Sequence, residues 1–306
     1  MKPLNTTLCH WVLALGLAGS LLSLPIQAEQ AVTPNTLPAK AQQACACFEV
    51  KVIGQGPAII LIPGLASSGE VWQSTVEALK ADYQLHILTL AGFAGVKPIP
   101  MQQWGEGYLA LQQQAILRYI SEQQLNKPIV IGHSLGGYLA LALAASKPAQ
   151  IGGVVNVDGL PALGAMFAAS SNNQAANDNT PPARGGFDPM AMAKSMATSQ
   201  DWQQRIVKDM FRSDGQTSGR VFAELMQADL RPQLVNIKVP VLTIGALQNG
   251  APYSTAEQVK ANYQAQLANA PTQFHRFAFA YESKHFVMAD APVWLNQQIQ
   301  QFLAAQ

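Results

Sequence analysis

Ile129-Val130-Ile131-Gly132-His133-Ser134-Leu135-Gly136-Gly137 is the stretch that decides the fold. A short apolar run, the length of one buried strand, gives way to Gly-x-Ser-x-Gly and then at once to a helical run over 138–146. The pentapeptide alone carries little, because glycine and serine are common. Between a strand and a helix it predicts a sharp turn that Gly132 and Gly136 allow to close without collisions. Such a turn lifts Ser134 to the C-terminal edge of a sheet and the N-terminus of a helix, where backbone N–H groups favour negative charge. Ser134 is therefore the candidate nucleophile, with a purely structural glycine-rich turn as the alternative.

Outward from this turn the chain keeps the same rhythm. Apolar runs fall at 48–53, 58–62, 85–90, 129–132, 151–157, 239–245 and 274–279, and amphipathic stretches near 70–80, 105–124, 135–147, 255–268 and 291–304. Near-continuous apolar strands alternating with helices predict an α/β fold: a mostly parallel central sheet with helices on both faces. The core is expected to span 45–160 and 231–306. Between them, 161–230 breaks the rhythm and holds six of the nine methionines: Met166, Met190, Met192, Met196, Met210 and Met226. This segment is expected to be a helical cap inserted at the top of the sheet, with its Asn/Ala/Ser/Pro-rich stretch 170–186 as a mobile loop. The methionines are either gap-fillers of a helical core or the lining of an adaptable apolar pocket.

Composition narrows the function classes. The chain has 306 residues, 49% hydrophobic and 12% charged, which suits a sizeable core and excludes a mostly disordered protein. Lys+Arg 19 against Asp+Glu 18, with no basic run, argues against nucleic acid as a partner. At the N-terminus, Lys2, an apolar stretch over 11–24 and Pro25-Ile26-Gln27-Ala28 predict a secretory signal peptide over 1–28, cleaved after Ala28. About 14 apolar residues fall short of the roughly 20 that a spanning helix needs. The expected product is periplasmic or secreted, without a stable membrane anchor, and begins with a polar leader over 29–44. Cys45 and Cys47 are read as two small residues near the first strand; the alternative, a disulfide, is permitted in an oxidising compartment but closes a very small ring. No Cys/His cluster suggests a metal, and no Gly-rich phosphate loop followed by Lys-Ser/Thr suggests a cofactor.

A serine hydroxyl needs a base, and the chain has five histidines. His10 leaves with the signal peptide, His133 is the variable residue of the turn, His86 sits in an early strand and His275 in the pleat of the last one. His285 follows that last strand in a turn before a helix, where a base can reach Ser134.

These residues resemble the α/β-hydrolase family, over nearly everything from Phe48 onward. The resemblance is carried by Ile62-Pro63-Gly64-Leu65, by the turn at Ser134, and by Lys284-His285-Phe286-Val287-Met288-Ala289-Asp290-Ala291-Pro292, which is similar to the family's histidine loop. Pro63-Gly64 stands where many members have His-Gly. The resemblance implies an oxyanion hole made by the backbone N–H groups of Leu65 and Leu135, and a carboxylate that orients His285. That acid usually follows the strand at 239–245, yet Gly245-Ala246-Leu247-Gln248-Asn249-Gly250 contains none. Some members, haloalkane dehalogenases and certain lipases among them, place it one strand earlier, where this chain has Asp158 directly after Val154-Val155-Asn156-Val157. Asp158 has a competing role as a structural aspartate bonded only to backbone; Glu257 is the second candidate and Asn249, as a neutral orienter, the third. Asp178, Asp188, Asp201, Asp209, Asp214, Glu224 and Asp229 fall in the cap.

The resulting expectation is an exported serine hydrolase that cleaves an ester of a small to medium, apolar substrate by acyl transfer, with no cofactor. Lactone, peptide and carbon–carbon bonds remain alternatives, as does a binding protein that keeps the fold without the chemistry. Ser134 excludes a dehalogenase or epoxide hydrolase, which use an aspartate nucleophile. Export makes an intracellular thioester a poor candidate.

Overall fold

The computed structural model describes residues 45–166, 187–248 and 255–306. Among the described residues seven strands form one sheet: β1 (Phe48–Ile53), β2 (Ala58–Ile62), β3 (Gln84–Leu90), β4 (Ile129–His133), β5 (Gly153–Val157), β6 (Val241–Ala246) and β7 (His275–Ala280). Their order is β1-β3-β2-β4-β5-β6-β7. β1 is an antiparallel edge strand against β3, and every other pair is parallel. Ile59 to Ile62 in β2 and all of β5 and β6 are buried. This is the pattern of strands covered on both faces, and it explains why their sequences read as unbroken apolar runs. β1 alone alternates burial and exposes Val52, as an edge strand can.

The chain runs from β2 outward to β3 and then crosses back to β4, so the strand order reverses between β2 and β4. Open α/β sheets offer a crevice outside the strand ends at such a point. The loop Pro63-Gly64-Leu65 leaves one side of it and Ser134 the other.

Helices α1 (Gln73–Leu79), α2 (Tyr108–Glu122) and α3 (Leu135–Ser146) precede β5. The sequence predicts an amphipathic α3, but the structure buries it on nearly all sides, from Leu135 through Ala145 with only Tyr138 partly open. The reason is position: α3 springs from the central strand and is enclosed by the sheet, α2 and the turn at 231–236, so it has no solvent face to make polar. Between β5 and β6 the described residues include the helices α4 (Pro189–Met196), α5 (Gln200–Arg212) and α6 (Gly215–Gln227). Asp188 and Asp214 cap α4 and α6 with side-chain acceptors. Glu224 of α6 accepts from Tyr108 N and Leu109 N at 2.8 and 3.0 Å, filling the N-terminus of α2 that Gly107 cannot cap. The chain closes with α7 (Ala256–Gln266), α8 (Val287–Asp290) and α9 (Pro292–Leu303).

Cys45 and Cys47 form a disulfide, against the expectation of two unlinked small residues. Their Cα atoms are 5.1 Å apart, closer than the roughly 6.6 Å that two steps along an extended strand would give and inside the range a bridge spans. The Cys47 carbonyl accepts from Ala91 N and Gln112 Nε2 at 2.9 and 2.8 Å, which seats the pair against the sheet and α2. The expected signal peptide, the leader and the 170–186 loop, Asp178 included, lie outside the described residues.

Candidate active site

Four parallel strand ends build the site as a staircase. In register, His133 sits beside Val157, Val157 beside Ile244, and Ile244 beside Ala278. The residues that follow each strand therefore emerge on one edge. Ser134 N–H donates to the Val157 carbonyl at 2.9 Å, and Asp158 N–H to the Ile244 carbonyl at 2.8 Å, so each turn is pinned to the next strand.

Ser134 occupies the tight turn expected of it, with φ 53° and ψ −115° as the residue before α3. A non-glycine residue held there costs on the order of 1–3 kcal/mol, which the surrounding packing must supply. A Cβ on Gly132 would collide with the carbonyl of Gly136, and one on Gly136 with the carbonyl of Ile62. Both glycines are thus required by close backbone approach. The N–H groups of Leu65 and Leu135, the pair expected to form an oxyanion hole, meet no backbone acceptor among the described residues.

Asp158 also has positive φ, 53°. Its side chain is only 1% exposed and its oxygens are fully used. Oδ2 lies 2.6 Å from His285 Nδ1, while Oδ1 accepts from Ala246 N at 2.6 Å and from the Tyr263 hydroxyl at 2.5 Å. Burying a carboxylate is costly unless it is paired and hydrogen-bonded, and both conditions are met. His285, 23% exposed, then offers Nε2 as its outward nitrogen. Ser134 Oγ and His285 Nε2 are not hydrogen-bonded to each other here; such contacts commonly tighten when substrate binds. Glu257 stands on the exposed first turn of α7, its carboxyl held low by its own N–H and the Thr255 hydroxyl, and Asn249 lies outside the described residues.

His285 rides on a loop that is fastened to the cap. Asp290 accepts from Lys284 N at 2.9 Å and from Thr198 N at 2.8 Å, and Phe286 N donates to the Met196 carbonyl at 2.9 Å. On the opposite side, Asp209 of α5 accepts from Ser68 N and Ser68 Oγ at 2.9 and 2.6 Å, holding the segment that follows Leu65. Sequence reasoning missed Tyr263, Asp209 and these ties. Tyr263 had one signal, a large aromatic with a hydroxyl inside an otherwise polar helix; Asp209 had none beyond lying in the cap.

The other described histidines, His86, His133 and His275, are disfavoured as cations by burial. His133 is pushed well below the ordinary histidine range, chiefly by desolvation and then by the neighbouring His285. His275, whose Nε2 lies 2.8 Å from the Thr243 hydroxyl, is lowered to about 4, and His86, between Tyr119 and Gln84, is lowered as well. Among the described residues no group of three or more His, Cys, Asp or Glu side chains is placed to hold a metal ion.

A parallel sheet with a strained serine between its central strand and a buried helix, and a carboxylate–histidine pair on the same edge, defines a hydrolase of the α/β type. A profile described as "Alpha/beta hydrolase family" matches residues 59–298, and the chain belongs to that family. It is 27% identical to a pimeloyl-[acyl-carrier protein] methyl ester esterase of Vibrio atlanticus over 81% of this chain and 95% of that protein. Among solved structures, a bromoperoxidase from Bacillus anthracis superposes with TM-score 0.66 at 17% identity, covering 84% of this chain and 95% of the other. An enol-lactonase from Burkholderia xenovorans does so with TM-score 0.62 at 18% identity, covering 84% and 96%. These two share the fold.

Proposed function

We propose that this hydrolase cleaves carboxylic esters of small to medium, apolar substrates by acyl transfer. Ser134 Oγ attacks the ester carbonyl while His285 Nε2 takes its proton; the tetrahedral oxyanion is held by the N–H groups of Leu65 and Leu135; His285 then returns the proton to the leaving alcohol. Water repeats the sequence on the acyl-enzyme and releases the acid. Asp158 fixes the Nδ1–H tautomer of His285 and stabilises the imidazolium. The observation that carries this reading is the 2.6 Å contact between Asp158 Oδ2 and His285 Nδ1, which supplies the carboxylate missing from the loop after β6. Its likeness to a methyl ester esterase favours an ester over a lactone or peptide bond. The Cys45–Cys47 disulfide suits export to the periplasm or the medium, in keeping with the N-terminal sequence.

A series of p-nitrophenyl esters of increasing acyl length, assayed with wild type and Ser134→Ala, tests the reading. The expected result is turnover that peaks at one chain length and falls by at least about four orders of magnitude in the variant. More than about a tenth of wild-type activity in folded Ser134→Ala would sink it. Fractionation of cells expressing the full chain tests export.

A further inference from the structure

We propose that His133, the variable residue of the serine turn, is a positioning residue for His285: its Nε2–H holds the backbone carbonyl of His285 and so fixes where that base stands over Ser134. The inference rests on the triad reading above and adds a residue that reading does not use.

His133 Nε2 lies 3.0 Å from the His285 carbonyl oxygen. A carbonyl oxygen only accepts, so the contact requires the hydrogen to be on Nε2. His133 Nδ1 is then a lone pair; it is buried and meets no hydrogen-bond donor. That edge of the ring faces Gly64, where an added Cβ would stand 3.0 Å from Nδ1 and 3.2 Å from Ser134 Cβ. A hydrogen on Nδ1 would point into this dry contact with nothing to receive it, so the surroundings select the neutral Nε2–H form.

The ring also packs against two neighbouring rings at tilted angles. Its centroid is 4.6 Å from that of His285 and 4.7 Å from that of Phe286. His133 closes β4 and pairs with Val157, whose next residue is Asp158. One rigid strand pair therefore carries the serine, the carboxylate and His133. Asp158 holds His285 by its ring and His133 holds it by its backbone. A single attachment would leave the imidazole free to pivot, and displacements of about 1 Å at a reacting group can cost about a hundredfold in rate. A phenyl ring in place of His133 would fill the same space without the donor, whereas a glutamine amide can reach the carbonyl as the imidazole does.

The test measures kcat and KM of wild type, His133→Phe, His133→Gln and Ser134→Ala on one p-nitrophenyl ester, with the imidazole nitrogen NMR spectrum of the wild type alongside. His133→Phe is expected to lower kcat about 10- to 100-fold with KM within about twofold, and His133→Gln to stay within about fivefold of wild type. The spectrum is expected to show His133 as the neutral Nε2–H tautomer. A kcat for His133→Phe within about threefold of wild type overturns the proposal, as does equal impairment of the two variants, which would make ring packing the cause. Should His133→Phe fail to fold, the spectrum decides, and an Nδ1–H tautomer refutes the proposal. Activity retained in Ser134→Ala would instead refute the triad reading, while the tautomer result would stand by itself.

Discussion

The ends of β5 and β6 lie side by side and differ in what they contribute to His285. β5 ends in Asp158, whose carboxylate meets the imidazole; β6 ends in Gly245-Ala246, and its contribution is one backbone N–H at 2.6 Å from Asp158 Oδ1. Strands in a sheet are about 4.8 Å apart, so an acid on β5 is one strand from Ser134 and an acid after β6 would be two. His285 follows β7, three strands from β4, and the loop that carries it must reach back across the sheet in either case. What differs is the support: the β5 carboxylate sits deep, where the end of β6 and Tyr263 of α7 can both donate to it. A buried acid held by neighbours can dispense with a loop of its own.

The largest effect that would break this contrast is expected from Asp158→Asn. The asparagine keeps the shape but cannot stabilise the imidazolium, so kcat should fall by about three to four orders of magnitude with little change in KM. Glu257→Gln, on the exposed helix start, should leave kcat within about twofold of wild type on the same assay. The reverse pattern would transfer the role to Glu257 and void the contrast. Adding Asn249→Asp to Asp158→Asn sharpens it further, because the second change restores a carboxylate at the family's usual position. About a tenfold recovery over Asp158→Asn is expected; none would mean that the β6 loop cannot aim an acid at His285.

A smaller effect is expected from Tyr263→Phe, which removes one of two donors to Asp158 Oδ1. A hydrogen bond to a charged group contributes about 1.5–3 kcal/mol. With Ala246 N–H still in place, a three- to tenfold drop in kcat and a lower melting temperature should follow. An unchanged kcat would show that the β6 backbone alone suffices.

Last and smallest in its effect on turnover is His275, which opens β7 and contacts β6 away from the reacting edge. Its folded-state value, lowered to about 4 from 6.5, means that the unfolded chain binds the proton first as pH falls. Stability attributable to the neutral ring is therefore complete above about pH 6.5 and declines toward pH 4, by on the order of 3 kcal/mol. In His275→Gln, melting temperature should depend less on pH between 7 and 4. An unaltered acid limb in calorimetry would contradict the assignment, whereas kcat at pH 8 should hardly move.

Local sequence determined a large part of this protein. The apolar runs are strands because both faces of a parallel sheet are covered, and Gly132 and Gly136 flank Ser134 because no side chain fits where the turn meets its neighbours. His285 was legible by elimination, since only five histidines exist and four have other places. The tertiary structure decided what depends on chain segments far apart. Three candidates to orient His285 could be ordered from sequence, Asp158 ahead of Glu257 and Asn249, but it is strand register that brings Asp158 to it across 127 positions. Packing of α7 against the sheet places Tyr263 against Asp158, and packing around the β4 end turns His133, a free position in a motif, toward the His285 carbonyl. The same holds for the buried α3 and the bridged cysteines, because periodicity and spacing describe a segment's own pattern, whereas burial and partners are set by whatever the rest of the chain lays against it.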